Sequence, residues 1–111
     1  MPAKSRRQQI EEMLEEEPDD PELRYALAME HVSAGEDSAA VDCFRHLTAE
    51  KPEYVPAYFQ MAQTLIRLGK PEVARPVIEQ GISVARAKGN YHTADELQGL
   101  LVGLEEPEQL P

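Results

Sequence analysis

Cys43 and His46 stand three residues apart in a stretch that reads as helix, a spacing that places two metal-ligating side chains on one helical face. A structural zinc needs four such ligands, and no convincing third or fourth lies nearby. The pair therefore reads as a small outer-face thiol and a solvated histidine. The other histidines, His31 and His92, fall on separate helical stretches, and His31 reads as a core-filling residue. Carboxylates are plentiful, but they sit on solvated faces without a pocket that would set one as acid and another as base. Gly35 and Gly69 are single helix-ending glycines, so no loop cradles a phosphate. The residues offer no catalytic, cofactor or metal site, and the chain reads as a non-enzyme.

Charge narrows the partners. Acids outnumber bases by 21 to 11 in 111 residues, a formal net charge of −10. Phosphate backbones and anionic leaflets both select for surplus Lys and Arg, so neither nucleic acid nor a membrane surface is the expected partner. Eight of the 21 acids crowd into residues 11–22, without a base among them (Glu11, Glu12, Glu15, Glu16, Glu17, Asp19, Asp20, Glu22). That run is either a solvated end that aids solubility or a patch that steers a basic partner. Subtracting it leaves 13 acids against 11 bases, a nearly neutral body. A single cysteine excludes an internal disulfide and suits a reducing compartment. With no apolar leader after Met1 and no 18-residue apolar run, the cytoplasm is the expected location.

The elements that would position any site repeat. Pro18 and Pro52, Ala28 and Ala62, Gly35 and Gly69, and Ala40 and Ala74 are each 34 residues apart. Asp20-Pro21-Glu22 is a helix start, with a cap, a first-position proline and a first-turn acid. It opens a helix over 21–34 that Gly35 ends. Asp37 then caps a helix over 38–50, stopped before Pro52. The pattern recurs as helices over 55–68, ended by Gly69, and 71–87, with Pro76 inside the latter as a missing hydrogen bond or a bend. Asn90 caps a last helix to 103. Ahead of these, Ser5 and Gln8 form a capping box for a helix over 5–17 that carries only Ile10, Met13 and Leu14 as apolar positions. The result is six helices and no strand, an all-α superhelix of stacked helix pairs. Residues 104–111 read as a disordered tail.

This pattern resembles the tetratricopeptide repeat (TPR) family, a 34-residue helix-turn-helix with small residues at positions 8, 20 and 27 and large ones at 4, 11 and 24. Repeat 1 (21–54) carries Leu27, Ala28, Ala40, Phe44 and Pro52, and departs at Arg24 and His31. Repeat 2 (55–88) carries Tyr58, Met61, Ala62, Leu65, Ala74, Ile78 and Gly81. There Arg86 replaces a proline, so that helix should run on by about a turn. Residues 5–17 make a leading half repeat and 90–103 a closing helix, giving one domain over 5–103.

The resemblance implies a concave face lined by the first helix of each pair, and no cofactor. Its groove positions fall on Glu22, Tyr25, Met29 and Val32, on Pro56, Phe59, Gln63 and Ile66, and on Asn90, Thr93, Leu97 and Leu100. Those residues imply an apolar strip with polar anchors that suits a partner helix or an extended peptide; the alternative is that they only pack the repeats together. The family's clamp for chaperone C-terminal carboxylates is missing its cations, since the matching positions hold Tyr25, Met29, Gln60, Asn90 and Ala94. The implied function is non-catalytic protein binding. A second reading is a self-assembling scaffold, a homodimer joined through an exposed ridge of Leu97, Leu100, Leu101 and Leu104. A related helical-repeat class reads RNA, and the charge of −10 opposes it.

Overall fold

Six α-helices follow one another, with no strand among the described residues, which run from 3 to 105 in this computed structural model. They are α1 (Arg6–Glu16), α2 (Pro21–Ser33), α3 (Asp37–Glu50), α4 (Val55–Arg67), α5 (Pro71–Ala87) and α6 (Tyr91–Glu105). Each helix packs on the next, and α4 also meets α6. A stack that touches only near neighbours grows long rather than round. Its extents are 59 × 34 × 20 Å and its radius of gyration is 15.5 Å, against about 13 Å for a globular chain of this length.

The helix ends follow their local chemistry. Ser5 closes the capping box: its Oγ accepts from the Gln8 amide at 3.1 Å while its own amide donates to Gln8 Oε1 at 2.8 Å. Asp20 Oδ1 accepts from the amides of Glu22 and Leu23 at 2.9 and 3.1 Å. At α3 the expected cap is wrong. Asp37 is the first helical residue, and the cap is Glu36, whose side chain makes no capping bond. The Asp37 carboxylate is drawn instead to Arg67 of α4, 3.2 Å away. Gly35 and Gly69 sit at φ of 76° and 77°, the left-handed region that an L side chain resists. They let the Glu36 and Lys70 amides turn back and donate to the carbonyls of His31 and Leu65, both at 2.9 Å. Helix α5 runs through Pro76, which stands at an exposed position.

Packing explains the 34-residue spacing. Ala28, Ala40, Ala62 and Ala74 are all fully buried, where a longer side chain would hold helix backbones apart. Phe44 and Tyr58 fill the space between pairs, and the Tyr58 hydroxyl donates to the Pro52 carbonyl at 2.6 Å. Helix α1 contributes only Ile10 to the buried set. Ion pairs from Arg6 to Glu30 and Arg7 to Glu36 help seat it on α2 and the turn behind it.

The C-terminal end departs from the 34-residue count. Helix α5 has 17 residues and its counterpart α3 has 14, so α6 begins at Tyr91, 36 residues after the start of α4. Counted from its own start, Leu97 is the seventh residue of α6, as Leu27 and Met61 are of α2 and α4. Leu97 is accordingly fully buried. The helix also continues through Leu104 and Glu105, which the sequence reading assigned to the tail; Glu105 is tied to Arg75 at 3.0 Å. The rest of that expected tail, 106–111, lies outside the described residues.

Gly81 marks a close approach of α5 to α4 and α6. A Cβ there would stand 2.6 Å from Tyr58 Cβ and 2.9 Å from Leu97 Cδ1. Leu97 can rotate away, but the Tyr58 Cβ moves only with the backbone of α4. Gly81→Ala is therefore expected to lose about 1–3 kcal/mol to overpacking, net of a helix-propensity gain of about 1 kcal/mol. Thermal denaturation followed by circular dichroism checks this. An unchanged or raised midpoint would show that α4 and α5 part freely.

Candidate functional site

The first helices of successive pairs, α2 and α4, together with α6, surround a depression of about 190 Å³ lined by Tyr25, Pro56, Phe59, Gln60, Thr93 and Glu96. Pro56 is the second residue of α4, where the missing amide hydrogen was never needed by the helix. The Tyr25 ring is held from behind, with Phe44 at 6.0 Å and Tyr54 at 5.6 Å between centroids and tilts of 56° and 48°. Such tilted aromatic pairs fix a ring's orientation beyond simple burial. Tyr25 and Phe59 remain only half-buried, so each keeps a face toward the depression.

No lysine or arginine lines this depression. Burial raises the Tyr25 hydroxyl above its ordinary range, and a hydrogen bond with the Gln60 side chain partly offsets that. The neighbouring Tyr54 is raised first by burial and then by Glu22, Tyr25 and Asp20. Both phenols are therefore neutral donors at physiological pH. Glu96 is the carboxylate that lines the depression.

A second cavity, about 260 Å³, lies where α1 meets α2 and α3 and is lined by Leu14, Arg24, Leu27, Asp42, Cys43 and His46. Burial, and then the charge of Asp42, pushes the Cys43 thiol up. A thiol that holds its proton is a poor nucleophile and a poor metal ligand. Among the described residues, no three His, Cys, Asp or Glu side chains converge on a common point.

His31 does more than fill space. Its Nδ1 lies 2.8 Å from Glu36 Oε1, an atom that can only accept, so Nδ1 carries the proton. The Arg7 guanidinium reaches the same carboxylate at 2.5 Å. These two hydrogen bonds, His31 first, hold the Glu36 carboxyl below its usual range. The arrangement joins α1 to the α2–α3 turn, and sequence reading missed it because Arg7 and Glu36 lie 29 residues apart.

Of the expected groove residues, the structure brings Tyr25, Pro56, Phe59 and Thr93 together in the depression. Met29, Val32 and Ile66 are half-buried against the core, Gln63 is half-buried, and none of the four lines the depression. Asn90 is exposed and caps α6, its Oδ1 accepting from the Thr93 amide at 3.2 Å. Leu97 is a correction: at 0% exposure it meets Tyr58 and Gly81 and has no surface to offer a partner. Gln60 and Glu96 were not among the expected groove residues. Glu96 is placed there by the register shift of α6; Gln60 is one step around α4 from Phe59.

The apolar ridge expected on the last helix is exposed only in part. Leu97 is enclosed, while Leu100, Leu101 and Leu104 are half-buried against the core. The large apolar side chains left exposed on the described end helices are Met13 on α1 and Tyr91 and Val102 on α6.

Two stacked pairs with an outer helix at each end define a helical-repeat fold of the helix-turn-helix kind. The tetratricopeptide repeat family model matches residues 55–88. The chain is similar to a tetratricopeptide repeat domain protein from Salinibacter ruber. The solution structure of that protein is 35% identical over 85% of this chain and 95% of that one, with a TM-score of 0.77. Its crystal structure is 36% identical over 78% and 97%, with a TM-score of 0.74. A protein from Bordetella parapertussis superimposes with a TM-score of 0.80 at 26% identity, over 92% of this chain and 89% of that one. No curated protein matches the chain. The chain belongs to the tetratricopeptide repeat family. Repeats of this family generally mediate protein–protein interaction. No helix among the described residues is long and apolar enough to cross a membrane.

Proposed function

We propose that this chain is a non-catalytic module, one unit of a leading half repeat, two full repeats and a closing helix, that holds a segment of a partner protein on its concave face. The observation that carries this is the depression itself, with two aromatic rings from different repeats half-exposed on one wall and polar groups of α6 on the other. Half-buried aromatics held rigid from behind lose little side-chain entropy on binding, which is why such residues anchor interfaces. The other expected groove residues, Met29, Val32, Gln63 and Ile66, extend the contact surface on α2 and α4 and are secondary to this anchor. Self-assembly through the last helix has less to support it, because Leu97 is fully buried and Leu100, Leu101 and Leu104 are half-buried against the core.

Tyr25→Ala combined with Phe59→Ala tests the anchor. Capture of native partners on the immobilised protein should fall at least roughly tenfold, the loss expected for anchor residues worth more than about 1 kcal/mol each. Circular dichroism must show the helices retained. Undiminished capture by a folded double variant would sink the concave-face reading.

A further inference from the structure

We propose that the depression seats a single arginine side chain from a basic segment of the partner, its guanidinium over the aromatic wall and its fork on Glu96. This deepens the concave-face reading and rests on it. The shape and chemistry of the lining favour this occupant. Tyr25 and Phe59 offer half-exposed ring faces and Pro56 an apolar edge, surfaces on which an aliphatic stem lies and a planar cation stacks. Glu96 supplies a carboxylate able to take two guanidinium hydrogens, and Gln60 and Thr93 supply further oxygen acceptors. At about 190 Å³ the space suits one long side chain and not a helix.

The surroundings carry the same sign. No cation lines the depression, and Asp20 and Glu22 act on the adjoining Tyr54 ring. Among the described residues, the one basic side chain within 4 Å of the Glu96 carboxylate is His92 on its own helix, at 3.7 Å and largely in solvent, so no Lys or Arg holds that carboxylate in an ion pair. Arg24, the basic residue next to Tyr25, is turned away: its Nε donates to the Pro18 carbonyl at 2.6 Å, and it lines the other cavity. An acidic or uncharged segment would leave Glu96 without a partner. A lysine would keep the charge and lose both the planar stacking and the fork.

The test uses the full chain, ¹⁵N-labelled, titrated with three probes: acetyl-Leu-Arg-Leu-amide, its lysine counterpart and its citrulline counterpart, which keeps the arginine shape without the charge. The arginine peptide should shift the amides around Tyr25, Phe59, Gln60, Thr93 and Glu96 and bind at least tenfold more tightly than the citrulline peptide, with lysine between them. Glu96→Gln, an exposed and nearly isosteric change, should bring the arginine peptide down to the citrulline level and leave the citrulline peptide unaffected. Equal binding of arginine and citrulline peptides at the depression would overturn the arginine seat while leaving the concave-face reading intact. Shifts confined to the acidic residues 11–22, or no shifts in any arm, would overturn the seat as well. The Tyr25 and Phe59 double variant against native partners then decides separately whether the concave-face reading survives.

Discussion

Phe44→Ala should lower the stability of the array by about 3–5 kcal/mol, the usual cost of emptying a fully buried phenylalanine site. For a chain of this size that is a fall of roughly 15–20 °C in the melting midpoint. The site cannot collapse cheaply. Phe44 is fully buried in the main core cluster, together with the fully buried Ala28, Ala40, Ala62 and Ala74. None of these alanines can reach into the gap. The consequence reaches the concave face, because the Tyr25 ring rests on Phe44 at 6.0 Å. Without that support Tyr25 should keep only its contact with Tyr54 and sample more orientations. Thermal melts and the ring resonances of Tyr25 check the two claims together. A loss under about 1 kcal/mol would show that the helices close over the gap.

What the sequence made legible was what the backbone demands of residue types. Gly35 and Gly69 announce left-handed turns, Pro21 and Pro71 announce helix starts, and the paired alanines announce close helix contacts, so six helices and their stacking follow from composition at fixed spacing. Tyr25 and Phe59 were readable as neighbours on one face because α2 and α4 keep the 34-residue register, and both line the depression. The last helix was not readable in the same way. The extra turn of α5, foreshadowed by Arg86 in place of a proline, displaces α6 by two residues, and that displacement decides which side chains face the core. Leu97 thereby enters the core, while Glu96 comes to the depression beside the expected Thr93. Contacts between residues distant in sequence, such as Arg7 with Glu36 and Arg67 with Asp37, leave no local trace at all.

Leu97→Ala should then separate the closing helix from the rest of the stack. Leu97 is fully buried where α4, α5 and α6 meet, against Tyr58 and the gap left by Gly81. Its removal is expected to cost about 2–5 kcal/mol, while Val102→Ala, at a half-exposed position on the same helix, should stay within about 0.5 kcal/mol. In a linear stack an end element can open without its distant neighbours. Apart from Leu97, the buried set of α6 contains only Ala94. Hydrogen exchange should consequently accelerate across α6 by a factor of at least about ten in Leu97→Ala while α2 and α3 keep their protection. The concave face would lose Thr93 and Glu96 with it, so arginine-peptide binding should fall even though Tyr25 and Phe59 are untouched. Uniform acceleration over all six helices would instead mean that the array unfolds as a single cooperative unit, with the closing helix required for the fold as a whole.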